Sequence, residues 1–251
     1  MLGSLKSELR KIWTIRSTYV VLAFAVIIIS LFAFYSEGMR AGYDSVPADN
    51  AFKLANLLSA AITNLGMFGA LVGILSFTHE YRYNTIMYTL TTSKSRTRSL
   101  LAKVAAVSIF SVFFTAFVTL LAFAAMYIGL AVKGLTLGPQ TFDLNLLWQV
   151  LLVGWGYSMF GLVIAAFIRH QAGAIAAFFL VPALVEQLAG LLLKDNRAYL
   201  PFMALSQTAP PQGMTSSDLI LSPGKAALVV LAYVAASWLI AWYLFLRRDA
   251  N

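Results

Sequence analysis

The sequence predicts an all-α membrane protein with six transmembrane helices, an N-terminal amphipathic helix lying in the interface, and both termini cytoplasmic. Three observations predict it. Of 251 residues 60% are hydrophobic and only 11% are charged, against about 25% in a soluble domain whose surface must be wetted. Six runs are uncharged or nearly so, each near or above the roughly 20 residues a helix needs to cross a bilayer core. The few charges separate by loop into a strongly basic side and a balanced side. This composition excludes a soluble enzyme, a secreted disulfide scaffold and a disordered regulator. The absence of cysteine excludes a disulfide framework, a thiolate metal site and a Cys nucleophile.

The chain reads as one transmembrane domain over residues 1–251, with spans at about 17–36, 54–78, 104–132, 144–168, 171–193 and 226–246. Period-2 alternation is absent, so a β-barrel is not supported. Helices are the other way to satisfy every backbone group in lipid. The first apolar run is too long for the core of a cleaved signal peptide and has no small-residue cleavage pattern after it, so it is expected to remain as an anchor.

Orientation follows from the basic residues. Twelve of the 18 lie on the side holding the N-terminus, the segment 79–103, the link at Arg169 and the C-terminus. That side has only three acids, Glu8, Glu80 and Asp249, for a net +9. The opposite side has six of each sign, and Glu186 is left within a span. The overall charge of +8 is therefore a topology signal, and no nucleic-acid partner is expected. The location implied is the plasma membrane.

Outside the spans, residues 2–16 place Leu2, Leu5, Leu9, Ile12 and Trp13 on one arc of about 100°, with Lys6, Arg10, Lys11 and Thr14 opposite. Such a helix suits the interface, with Trp13 at headgroup depth. It reads either as an elbow helix supporting a partner or as an ordinary basic flank. The cytoplasmic segment 79–103 opens with a stretch able to form a short helix, then a polar turn. Positive-inside anchoring explains its Lys and Arg but not Tyr81, Tyr83, Ile86, Met87 and Tyr88, which suggest a contact surface. The outer loop 194–225 is long; it reads as a segment dipping into the membrane, a cap on an outer vestibule, or simple surface packing.

The interfacial helix Leu5-Lys6-Ser7-Glu8-Leu9-Arg10-Lys11, the six spans, and a loop reading Glu80-Tyr81-Arg82-Tyr83-Asn84-Thr85-Ile86, followed by Arg96 and Ala102-Lys103, resemble the membrane subunit of type-2 ATP-binding-cassette (ABC) exporters. Family members commonly have Gly where this chain has Asn84, and Asn also tolerates left-handed backbone. The resemblance implies an export permease that dimerises, most simply as a homodimer, on two separately encoded ATP-hydrolysing subunits. Glu80, Tyr81, Arg82, Thr85, Ile86 and Arg96 would form the ATPase contact. ATP and Mg would sit in the partner, and this chain would hold no cofactor. The load would be amphipathic or lipid-like. The other classes are a self-sufficient secondary transporter and a membrane scaffold or sensor; no similarity between the two halves supports the former.

The remaining chemistry is sparse. Glu186 is the one acid deep in a span, one turn after Pro182. A carboxylate there should face a cavity or partner, or be protonated, so it reads either as a pathway residue, or as a structural hydrogen-bonding group or one lying near the outer headgroups. Gly69 and Gly73 form a GxxxG, and Gly154, Gly156 and Gly161 are spaced for close helix approach; packing within the chain is the favoured reading, with a dimer seam the other. His79 and His170 lack a ligand cluster, so no metal is expected. Ser158 lacks the Gly at 160 and the nearby His that a nucleophile elbow needs. Gly224-Lys225 is followed by Ala226, so no Walker A loop exists. The chain is therefore expected to have no catalytic site of its own.

Overall fold

The computed structural model describes residues 2–35, 54–83, 85, 95–134, 144–209 and 220–247, with the backbone alone at 54–65, 96, 144–146, 195 and 247. Among these residues every regular element is helical. In chain order they are α1 (Leu2–Thr14), α2 (Arg16–Phe32), α3 (Leu54–Arg82), α4 (Arg96–Val132), α5 (Leu144–Ile168) and α6 (Gln171–Leu180). A π-helical turn (Val181–Val185) leads into α7 (Glu186–Leu193), a 3-10 turn (Lys194–Tyr199), α8 (Pro201–Thr208) and α9 (Pro223–Arg247).

Among the described residues five segments are long and apolar enough to cross a membrane: Arg16–Tyr35, Thr97–Val132, Leu147–Ile168, Gln171–Leu193 and Pro223–Leu246. A further helix, α3, runs for 29 residues beside them. The Leu147–Ile168 segment is 56% buried, against 17% for Gln171–Leu193. So α5 forms the middle of the bundle, packing on α3, α4, α6, α8 and α9. Elsewhere the outward faces are apolar, with Phe113, Leu191 and Leu192 more than 70% exposed, as a bilayer requires.

The α3–α5 seam is made by glycine. A Cβ on Gly73 would overlap the backbone oxygen of Ser158, and one on Gly161 would overlap that of Ala70. Backbone-to-backbone approach of this kind tolerates no side chain. The GxxxG at Gly69 and Gly73 is therefore spent on packing within the chain.

Several boundaries differ from the sequence reading. α3 continues to Arg82 and α4 begins at Arg96, eight residues before the expected span. Ser95 is the reason at α4: its hydroxyl accepts from the Arg98 amide at 3.2 Å and caps the helix. Residues 79–82 and 96–103 of this segment are thus the ends of two long helices, and residues 86–94 lie outside the described residues. Residues 194–208, expected as part of an outer loop, are a 3-10 turn and a short helix packed against α5 and α9 rather than an open loop.

Candidate functional site

Three helix ends meet on one face: α1, the last turns of α3 and the first turns of α4. They bring together Glu8 and Lys11, Glu80, and Lys103. Lys11 Nζ lies 2.5 Å from Glu8 Oε1 and 2.5 Å from Glu80 Oε1. Lys103 Nζ lies 2.6 Å from Glu8 Oε2 and 3.1 Å from Glu80 Oε1, and donates to the Ser76 carbonyl at 3.1 Å. The Lys103 and Glu80 side chains are 4% and 6% exposed. Four charges so placed close into a neutral ring. Desolvation alone would cost several kcal/mol per ion, roughly, and mutual pairing is what makes the burial tolerable.

The ring holds Glu80 and Lys11 charged. Burial pushes the Glu80 carboxyl up, but Lys103 and Lys11 outweigh it and hold Glu80 below the ordinary 4.5. Burial likewise pulls Lys11 down, but Glu80 and Glu8 hold it above 10.5. The neighbouring His79 is different: burial and the Arg82 charge lower it below 6.5. Its Nε2 is 2.9 Å from Ser17 Oγ, and its ring stacks on Tyr83 at 5.5 Å. It therefore stands as a neutral imidazole linking α3 to the start of α2.

The expected contact residues divide. Glu80 is 5% exposed and turned into the ionic ring, so it cannot itself present to a partner. Tyr81 is half-buried, stacked on Phe77 at 5.5 Å with the Arg169 guanidinium 5.2 Å over its ring. Arg82 is exposed and donates to Gln171 Oε1 at 3.0 Å. Thr85 is exposed, and its amide donates to the Glu80 carbonyl at 2.9 Å. Ile86 lies outside the described residues, and so does the side chain of Arg96, the first residue of α4. Exposed Tyr83 completes the outward set.

Sequence reasoning missed Glu8, Lys11 and Lys103. Lys11 was expected on the polar face of α1, yet it turns with Glu8 toward α3 and α4, while Leu2 and Trp13 are exposed. The available signal was scarcity: only three acids lie on this basic side, and Glu8 stands three residues from Lys11.

Glu186 sits across the bundle, 3% exposed. Its Oε1 accepts from the Phe202 amide at 2.8 Å and its Oε2 from the Met203 amide at 3.0 Å. These are the first free N–H groups of α8, whose own N-cap position, Leu200, supplies no side-chain bond. The carboxylate does the capping from another helix. The π-helical turn containing Pro182 sets this up, since the Glu186 amide bonds back to the Val181 carbonyl. The contacts of Glu186 are thus structural ones, joining α7 to α8.

Among the described residues no cluster of three or more His, Cys, Asp or Glu could hold a metal. A family model described as a protein of unknown function (DUF2705) matches residues 19–250. No curated protein matches the chain.

Proposed function

The chain therefore belongs to the DUF2705 family of proteins of unknown function, and from its own residues we propose that it is the permease subunit of a type-2 ABC exporter. In this reading α3 is a sixth span, both termini are cytoplasmic in the plasma membrane, and two copies form the pathway. A separate ATPase subunit supplies ATP binding and hydrolysis. The load is amphipathic or lipid-like.

The observation that carries the reading is the buried ring of Glu8, Lys11, Glu80 and Lys103. It ties an interfacial helix to the ends of two long helices directly behind the exposed residues Arg82, Tyr83 and Thr85. A force applied there by a partner would move α3 and α4 together, because neither can leave the ring without stranding a buried charge, and α1 follows through the bonds of Glu8 and Lys11 to Lys103 and Glu80. The Gly-packed α3–α5 seam would carry that movement into the centre of the bundle.

The test is contact. Tyr83 is 60% exposed and is replaced by a photo-crosslinking amino acid in cells. Irradiation is expected to give an adduct with a subunit bearing a Walker A loop, while a crosslinker at the lipid-facing Phe117 gives none. Absence of that adduct at Tyr83 in intact membranes removes the ATPase from this surface.

A further inference from the structure

A cleft of about 1010 Å³ opens between α1, the starts of α2 and α4 and the end of α3, lined among others by Ser7, Arg16, Ser17, His79, Arg82 and Ser99. That is the size of a small-molecule site. Its wall also contains Glu8, Glu80 and Lys11, but those charges are consumed in the ionic ring. Two arginines remain. Among the described residues neither Arg16 nor Arg82 has a carboxylate partner; Arg82 bonds the neutral Gln171 and lies 5.6 Å over the Tyr83 ring. The rest of the sequence offers little help. Residues 83–103 contain no Asp or Glu, and Asp249 is the third and last acid on this side. Outside the ionic ring, the cleft is thus a hydroxyl-lined pocket whose described charged residues are two cations.

Its depth points to the source of the anion. Arg16 opens the first membrane-crossing segment, and Ser17 is its second residue. α1 lies alongside, with Leu5 and Leu9 packed on the core and Trp13 half-exposed, its ring edge-on to Phe110 at 5.7 Å. This is the level of lipid headgroups, where arginines and serine hydroxyls meet phosphates.

We propose that this cleft binds the phosphate headgroup of an anionic phospholipid of the cytoplasmic leaflet, with Arg16 and Arg82 as its cationic clamps. The bound headgroup neutralises the two arginines and braces α1 against α2 and α3, beside the ionic ring. The proposal rests on the cytoplasmic placement of this face in the proposed function, and not on the ATPase partner.

The experiment is native mass spectrometry of the detergent-solubilised full chain titrated with phosphatidylglycerol, phosphatidylcholine or inorganic phosphate. Wild type is expected to retain phosphatidylglycerol in preference to phosphatidylcholine. Arg16→Gln and Arg82→Gln should each weaken that preference roughly fivefold, and Arg16→Lys should keep most of it. Equal retention of the two lipids, or full preference in both Gln variants, overturns the proposal. Displacement of the lipid by millimolar inorganic phosphate overturns it in favour of a free-phosphate site. Recovery of the ATPase with Arg16→Gln is measured in parallel. Unchanged recovery with weakened lipid binding supports the proposal, whereas lost recovery with unchanged lipid binding makes the cleft a partner surface. In that second case the lipid site falls while the permease reading stands.

Discussion

Replacing Lys103 with Met probes the ionic ring most sharply. Met fills the space of the lysine stem without its charge, at a side chain only 4% exposed. The substitution removes the ion pairs at 2.6 Å to Glu8 and 3.1 Å to Glu80, and the hydrogen bond to Ser76. Two buried carboxylates are then left to share Lys11. Removing one member of a buried ion pair costs about 3–5 kcal/mol. At roughly 2–4 °C per kcal/mol for a chain of this size, the melting temperature in mild detergent should fall by about 10 °C. Glu80→Gln should cost a similar amount, since it leaves Lys11 and Lys103 sharing Glu8. The double variant returns the site to one neutral pair, Glu8 with Lys11. It should therefore be less destabilised than the sum of the singles, by about 0.5–3 kcal/mol. A Lys103→Met protein melting within about 2 °C of wild type, below about 1 kcal/mol, would refute the ring as a structural unit. Strict additivity in the cycle would refute the coupling.

Four further outcomes follow from the same contacts. Glu186→Leu strands the Phe202 and Met203 amides, at about 1–3 kcal/mol, and a Cys placed at exposed Ser206 should then react faster with a thiol reagent; an unchanged rate would mean α8 is held by other contacts. Gly161→Ala drives a methyl into the Ala70 backbone oxygen and should lower stability by about 1–3 kcal/mol, whereas Gly3→Ala, with open space around it, should be silent in the same melt. Acid should destabilise in two steps. His79 is held below 6.5, so only the unfolded chain takes up its proton as pH drops past 6.5, and stability declines from there. Glu80 is held below 4.5, so its contribution is present above 4.5 and is lost as pH falls through the lowered value. His79→Gln should erase the first step alone in a pH-resolved melt. Finally, the chain has no native cysteine, so single Cys labelling reads topology: Ser45→Cys should react from outside intact cells and Ser95→Cys only after permeabilisation.

Much of the fold was legible because lipid permits few choices. The apolar runs mark the spans, and α5 and the segment Gln171–Leu193 begin and end where the runs do. The ends of α3 and α4 were less legible. Polar turns such as Arg96–Lys103 are helical because Ser95 caps them and α1 covers them, and neither fact shows in hydropathy. Glu186 stood out as a lone acid in an apolar run, but its amide partners lie sixteen and seventeen residues on in a segment that reads as loop. Of the four ring residues, only Glu80 was among the contact residues expected from the sequence. Lys11 and Lys103 were hidden because positive-inside anchoring accounts for any basic residue on that face. What separates them from Lys6 or Arg10 is a neighbour contributed by another helix.

The permease reading turns finally on whether this chain travels with an ATP-hydrolysing subunit. The decisive measurement is ATPase activity of the tagged protein purified in mild detergent from its own membranes, with every co-eluting chain identified. The account predicts a stoichiometric subunit bearing a Walker A loop, activity abolished by a Lys→Ala change in that loop, and the subunit's loss with Arg82→Ala although the permease stays folded. A stably folded chain that elutes without such a subunit and yet moves a substrate in vesicles lacking ATP would contradict it.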